Sequence, residues 1–244
     1  EQYGIYMGKV LRGDLGTSFR SREPVAREIA RRFPATLLLA STSIVVAVLV
    51  ALPLGVLSAT RRGTAADYAS GFAAMVSLAI PNFLLGPLLV LVFSIQLGVL
   101  PVSGYGTARH LVLPALTLGT GMAALLTRMV RATLLEELGK EYVTAATARG
   151  LSRRAAVALH ALRNALVPVA TVLGLSFGAV LAGSVIAETI FAWPGIGRLL
   201  IQAIDARDYP LVQGCVLVIA LCTVLVNLLT DLLCARLDPR IRYG

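Results

Sequence analysis

The sequence has 244 residues, 57% of them hydrophobic and only 14% charged, with a net charge of +9. A water-soluble domain carries about 25% charge, so this composition excludes an ordinary soluble enzyme and defines a membrane protein. The basic residues lie between apolar stretches, as the positive-inside bias requires and a nucleic-acid surface does not.

Residues 1–34 are polar and mixed in charge and read as an extracytoplasmic connector. Pro24 suits a first helical turn. Val25, Ile29 and Phe33 then recur at i, i+4 and i+8, which predicts a short amphipathic helix lying at the membrane surface. The chain opens on Glu1 rather than Met, which points to a longer or processed parent, and no signal-peptide pattern follows.

The remainder, 35–244, reads as one transmembrane region with spans at about 35–59, 69–97, 111–130, 164–187 and 211–233. Each can cross roughly 30 Å of hydrocarbon as a helix. Prolines at Pro53, Pro81, Pro114 and Pro168 predict kinks, because each removes a helix hydrogen bond. Arg61 and Arg62, the basic residues of the central loop and Arg236, Arg240 and Arg242 fall on one side; only Arg109, Arg198 and Arg207 fall on the other. That asymmetry puts the central loop and the C-terminus in the cytoplasm. It leaves the basic residues of 1–34 outside, a conflict that a further span before Glu1 would relieve.

Between the last two spans, 188–210 forms an outer loop. Trp193, Pro194 and Gly195 read as an interfacial turn with the indole at headgroup level. Ile196, Leu199, Leu200, Ala203 and Ile204 give the following helix one apolar face.

Chemistry is conspicuous by its scarcity. No acid, Lys or His stands near a span centre, where it would mark an ion or proton pathway. There is no phosphate-binding G-x-x-x-x-G-K-[ST] loop, and Gly119 to Gly121 form a G-x-G inside an apolar span. Cys215, Cys222 and Cys234, with His110 and His160, lack metal-ligand spacing. The expectation is a non-catalytic chain with no metal and no cofactor of its own.

The central cytoplasmic loop, about 134–163, is a basic island. Glu141 to Arg149 contains only residues tolerated in helices, and Tyr142, Ala145, Ala146 and Arg149 fall at i, i+3, i+4 and i+7, predicting one shared face. Gly150 suits a helix C-terminus and Ser152 caps a second helix. Glu141, Tyr142, Ala145, Ala146, Arg149, Gly150 and Leu151 are therefore the candidate docking residues.

The pair Ala145-Ala146, then Gly150 and the run "HALRNALVP" from His160, resembles the EAA loop of ABC-transporter permeases. "GDLGTSFRSREPV" (Gly13 to Val25), "AIPNF" (Ala79 to Phe83), "LPVSG" (Leu100 to Gly104), "ETIFAWPGIGRLL" (Glu188 to Leu200) and "DYPLVQG" (Asp208 to Gly214) are similar to its peptide and nickel importer branch. Thr144 departs from the motif, standing where the family has its Glu. The resemblance implies an all-α bundle of the type I importer kind, with six spans in the intact chain. It implies docking of the island on an ATPase that binds ATP and Mg. The remaining implied partners are a second ATPase, a second permease of similar fold and an external substrate-binding protein. It further implies that Glu188, Phe191, Trp193, Pro194, Gly195, Arg207, Asp208 and Tyr209 form an outer gate or contact the binding protein. An ATP-independent channel, or a permease for nickel or another small solute, is the competing reading.

Overall fold

The computed structural model of the chain describes residues 2–237. Ten α-helices follow one another: α1 (Gln2–Val10), α2 (Val25–Thr60), α3 (Ala65–Ala79), α4 (Asn82–Leu89), α5 (Ala108–Leu138), α6 (Glu141–Ala148), α7 (Arg153–Ala156), α8 (Leu162–Ile190), α9 (Ile196–Asp205) and α10 (Tyr209–Leu237). A π-helical stretch, Val90–Gln96, extends α4, and a second, Val157–Ala161, joins α7 to α8. Arg153–Ile190 is thus one helix of 38 residues. Among the described residues the β pairing is an isolated bridge between Thr17 and Pro24.

Among the described residues, four helices are long and apolar enough to cross a membrane: Val25–Thr60, Ala108–Leu138, Arg153–Ile190 and Tyr209–Arg236. The span expected at 69–97 is broken. Its halves, Ala65–Ala79 and Asn82–Gln96, are bent by 103°, and they make a fifth crossing if taken together. Pro81 causes the break, because it has no N–H and forces the preceding residue out of the helical region; Ile80 sits at φ −88°, ψ 114°. Pro53, Pro114 and Pro168 lie inside α2, α5 and α8, which continue through them.

The chain divides into two compact units. One comprises Glu1–Ser43, Asn82–Leu118 and Gly178–Leu225. Its core joins Val25 and Ile29 of α2 to Ile196, Leu199 and Ala203 of α9 and to Leu211 and Cys215 of α10. This corrects the separate surface helix expected after Pro24. Val25 to Phe33 is the opening of α2, and its apolar stripe packs on protein, with Val25 and Ile29 buried, rather than on lipid. An amphipathic stripe requires an apolar partner but does not specify which.

The second unit comprises Ile44–Pro81, Gly119–Phe177 and Val226–Gly244. Ala59, Leu134, Val143, Ala156, Val157, Ala161 and Ala165 form its core. Beside it Arg131 donates from Nε and Nη2 to the two carboxylate oxygens of Asp67, at 2.7 and 2.9 Å. Asp67 also accepts from the Ser58 hydroxyl and, at 3.0 Å, from the Gly63 N–H. One carboxylate thereby ties the end of α2 and the start of α3 to α5. A forked guanidinium suits that bidentate role as an ammonium does not.

Candidate functional site

The loop from Gly139 to Ser152 is built by local chemistry. Arg149 ends α6, and Gly150 follows at φ +93°, a conformation that costs an L side chain dearly. The Leu151 N–H reaches the Ala146 carbonyl at 3.2 Å, and the Gly150 N–H reaches Thr147 at 3.0 Å. These are the two bonds of a Schellman ending. Ser152 then caps α7, its hydroxyl accepting from the Ala155 N–H at 3.3 Å. Tyr142 anchors the loop. Its hydroxyl donates to Glu137 Oε2 at 2.5 Å and accepts from Asn164 Nδ2 at 3.1 Å, so it bridges the end of α5 and the start of α8. Burial, reinforced by the neighbouring Glu137 carboxylate, pushes the Tyr142 hydroxyl above its ordinary pKa.

The faces of α6 differ from the expected ones. Val143 and Ala146 point into the unit's own core, Ala146 being 3% exposed, and Tyr142 and Leu151 are half-buried against it. The exposed face carries Glu141, Thr144, Ala145, Ala148 and Arg149. Ala146 is thus turned into the core, and Ala145, about 100° round the helix, is left on the exposed face. Thr144 and Ala148, outside the expected set, share this exposed face. Their signal was present, since with Glu141 and Ala145 they complete an i, i+3, i+4, i+7 set.

The outer segment is likewise turned inward. Glu188 lies inside α8 and is fully buried, as are Phe191, Trp193 and Asp208 to within 1%. The Glu188 carboxylate accepts from Thr36 Oγ1 at 2.8 Å and Ser184 Oγ at 3.0 Å through Oε1. Its Oε2 accepts from the Arg198 N–H at 3.0 Å. Thr36 in turn accepts from the Ile196 N–H at 2.8 Å. The Glu188 carboxyl oxygens thus cap the N-terminus of α9, supplying acceptors where its N–H groups have no intrahelical partner. Gly195 is required here, because a Cβ would collide with that carboxylate. The Trp193 indole N–H donates to the Ala35 carbonyl at 2.8 Å, and the Tyr105 ring meets the indole edge-on at 4.8 Å. The indole therefore packs against protein rather than standing free on the surface. Of the proposed outer contacts, Arg207 and Tyr209 are exposed and Pro194 is half-buried. Thr36, Ser184 and Arg198 carry no pattern in the sequence that separates them from ordinary helix residues.

Asp208 closes a second clasp. It accepts from Ser18 Oγ at 2.5 Å, from the Arg20 N–H at 3.2 Å and from the Leu211 N–H at 3.4 Å. Burial disfavours its charge, but the Ser18 hydroxyl and the backbone N–H groups of Phe19, Arg20 and Leu211 outweigh that and hold the carboxyl below its ordinary value. A folded-state pKa below the unfolded one means stabilisation that is complete above about pH 4 and fades as pH falls through the lowered value. Asp208→Asn is expected to lower Tm at neutral pH and to flatten the loss of Tm on acidification. Thermal unfolding of the purified protein at a series of pH values checks this, and an unaltered acid limb would refute it.

A helical bundle with bare spans, a capped helix-turn-helix loop and a clasped segment before its last helix defines a polytopic permease subunit. The model of the family described as "Binding-protein-dependent transport system inner membrane component" matches residues 51–243, and the chain belongs to that family. The glutathione transport system permease protein GsiC of Escherichia coli (strain K12) is 43% identical over 242 residues, spanning 99% of this chain and 79% of its own. Its counterpart in Salmonella typhi matches equally. The fold is that of solved ABC importers. A methionine transporter, MetNI, in inward-facing conformations gives a TM-score of 0.70 at 20% identity, over 86% of this chain and 96% of that one. An amino acid ABC transporter with histidines gives 0.68 at 17%, over 86% and 94%. The chain is a permease subunit of an ABC importer, an inner-membrane component.

Proposed function

We propose that this chain forms half of a translocation pathway for small peptides and that the α6 loop is where a separate ATPase drives it. The observation that carries the reading is the exposed small-residue face of α6, held rigid by the Schellman turn, the Ser152 cap and the Tyr142 anchor. Ala145 and Ala148 allow another backbone to approach closely, with Glu141 and Arg149 at the margins. A small peptide as cargo is supported by the identity to the glutathione permeases. The chain is non-catalytic and binds no cofactor; ATP and Mg belong to two ATPase subunits, one for this loop and one for a second permease of similar fold. The loop lies in the cytoplasm, and Arg207 and Tyr209 lie on the outer side, where an external binding protein delivers solute.

Ala145→Glu tests the proposal. It places a charge on an exposed face, so the permease itself should reach normal levels. A close protein contact at that face would be overpacked and a charge desolvated. Co-purified ATPase should fall at least tenfold, and uptake with it. Gly150→Val, which strains the turn, should act in the same direction. Normal ATPase retention and uptake in both variants would overturn the coupling role. Tyr209→Ala probes the outer side; Trp193 does not serve, because its indole is buried.

A further inference from the structure

We infer that the second unit carries a binding site for one anionic phospholipid. A groove of about 760 Å³ runs between the last turns of α2 and the first turns of the helix Arg153–Ile190. Its walls are Leu52, Pro53, Val56, Leu57, Val157, Ala158 and Leu162. At one end stand Arg61, Arg153 and Arg154, all exposed, and among the described residues none of the three makes an ion pair.

The charge placement is informative. Arg153 and Arg154 occupy the first turn of a 38-residue helix, whose dipole is already positive there. Arginine at that end disfavours the isolated helix, and Arg61 adds a third positive charge from another element. Together they favour a phosphate, which guanidinium forks bind well.

The walls decide the class of ligand. Away from the arginines the lining is aliphatic, and its one hydroxyl, on Thr60, already donates to the Val56 carbonyl at 2.7 Å. A peptide laid there would bury backbone N–H and C=O groups without partners. An acyl chain buries none. Both walls are the ends of membrane spans, where headgroups lie and basic pockets between helices recruit anionic lipid.

The test uses the full-length permease in its assembled transporter, delipidated in detergent and titrated with phosphatidylglycerol while bound lipid is counted by native mass spectrometry. One phosphatidylglycerol per copy of this chain is expected to survive a wash that removes phosphatidylcholine of the same chain length. Arg61→Gln, Arg153→Gln and Arg154→Gln combined should cut retention at least tenfold. Ala158→Trp, which fills the acyl slot and keeps the arginines, should do the same. The site is overturned if both variants retain phosphatidylglycerol as the parent does. It is also overturned if inorganic phosphate displaces the lipid, if glutathione displaces it, or if the second permease fills the groove and the assembled complex retains none.

Discussion

Glu188→Ala should cost this protein more stability than any other single truncation in the segment between α8 and α10. The substitution leaves the Thr36 hydroxyl and the Arg198 N–H without their acceptor in a site closed to water, while the Ser184 hydroxyl keeps the Leu181 carbonyl at 3.2 Å. Each of the two stranded donors costs about 1–3 kcal/mol, so a loss of about 2–6 kcal/mol is expected. It also removes the acceptor that caps the start of α9. The first readout is Tm in detergent; the second is protease cleavage between Phe191 and Gly195, which should accelerate at least tenfold. Glu188→Gln keeps one acceptor oxygen and should fall between the two. A Glu188→Ala protein with the parent's Tm and cleavage rate would show that the cluster is held by something else.

The pair Ala145→Glu and Ala146→Glu should separate by phenotype. The first acts on a partner, as argued above. The second drives a carboxylate into the core formed by Val143, Leu134, Val157 and Ala161. An unpaired buried charge costs about 3 kcal/mol or more, enough to undock so short a helix from the bundle. Ala146→Glu is therefore expected to reduce the amount of permease in the membrane and to expose the loop to protease, with no ATPase added. Ala145→Glu should do neither. If Ala146→Glu left the free permease intact while abolishing ATPase binding, the inward assignment of Ala146 would be wrong.

What the sequence revealed depended on the range of the interaction involved. Gly150 and Ser152 were readable because turn and cap are settled by neighbours within four residues. The bare spans were readable because lipid imposes a demand on composition itself. The periodicity of α6 offers two stripes, Tyr142, Ala145, Ala146 and Arg149 or Glu141, Thr144, Ala145 and Ala148, and the choice between them is made by Leu134 and Val157, which lie well outside the helix. The stripe at Val25, Ile29 and Phe33 was seen correctly as apolar on one side, yet its partner is α9, some 170 residues away in the sequence. Glu188 was placed in a loop because a carboxylate lowers any hydropathy average; only the surrounding Thr36, Ser184 and α9 terminus make its burial tolerable. Pro81 was recognised as a disturbance, but nothing local separates a modest kink from a 103° turn.

The length of α2 has a bearing on membrane thickness. A helix of 36 residues is about 54 Å long, whereas the hydrocarbon layer is about 30 Å. Its early turns, with Arg27, Arg31 and Arg32, are too polar for that layer, so this part of α2 stands beyond it as a post braced by α9 and α10. A bilayer a few ångströms thinner or thicker can slide along such a post, meeting more or fewer of its polar turns, where a helix cut to the hydrocarbon width would have to tilt. The clasped segment before α10 is then held by protein contacts, and the subunit should tolerate changes in lipid chain length with little effect on how that segment is presented.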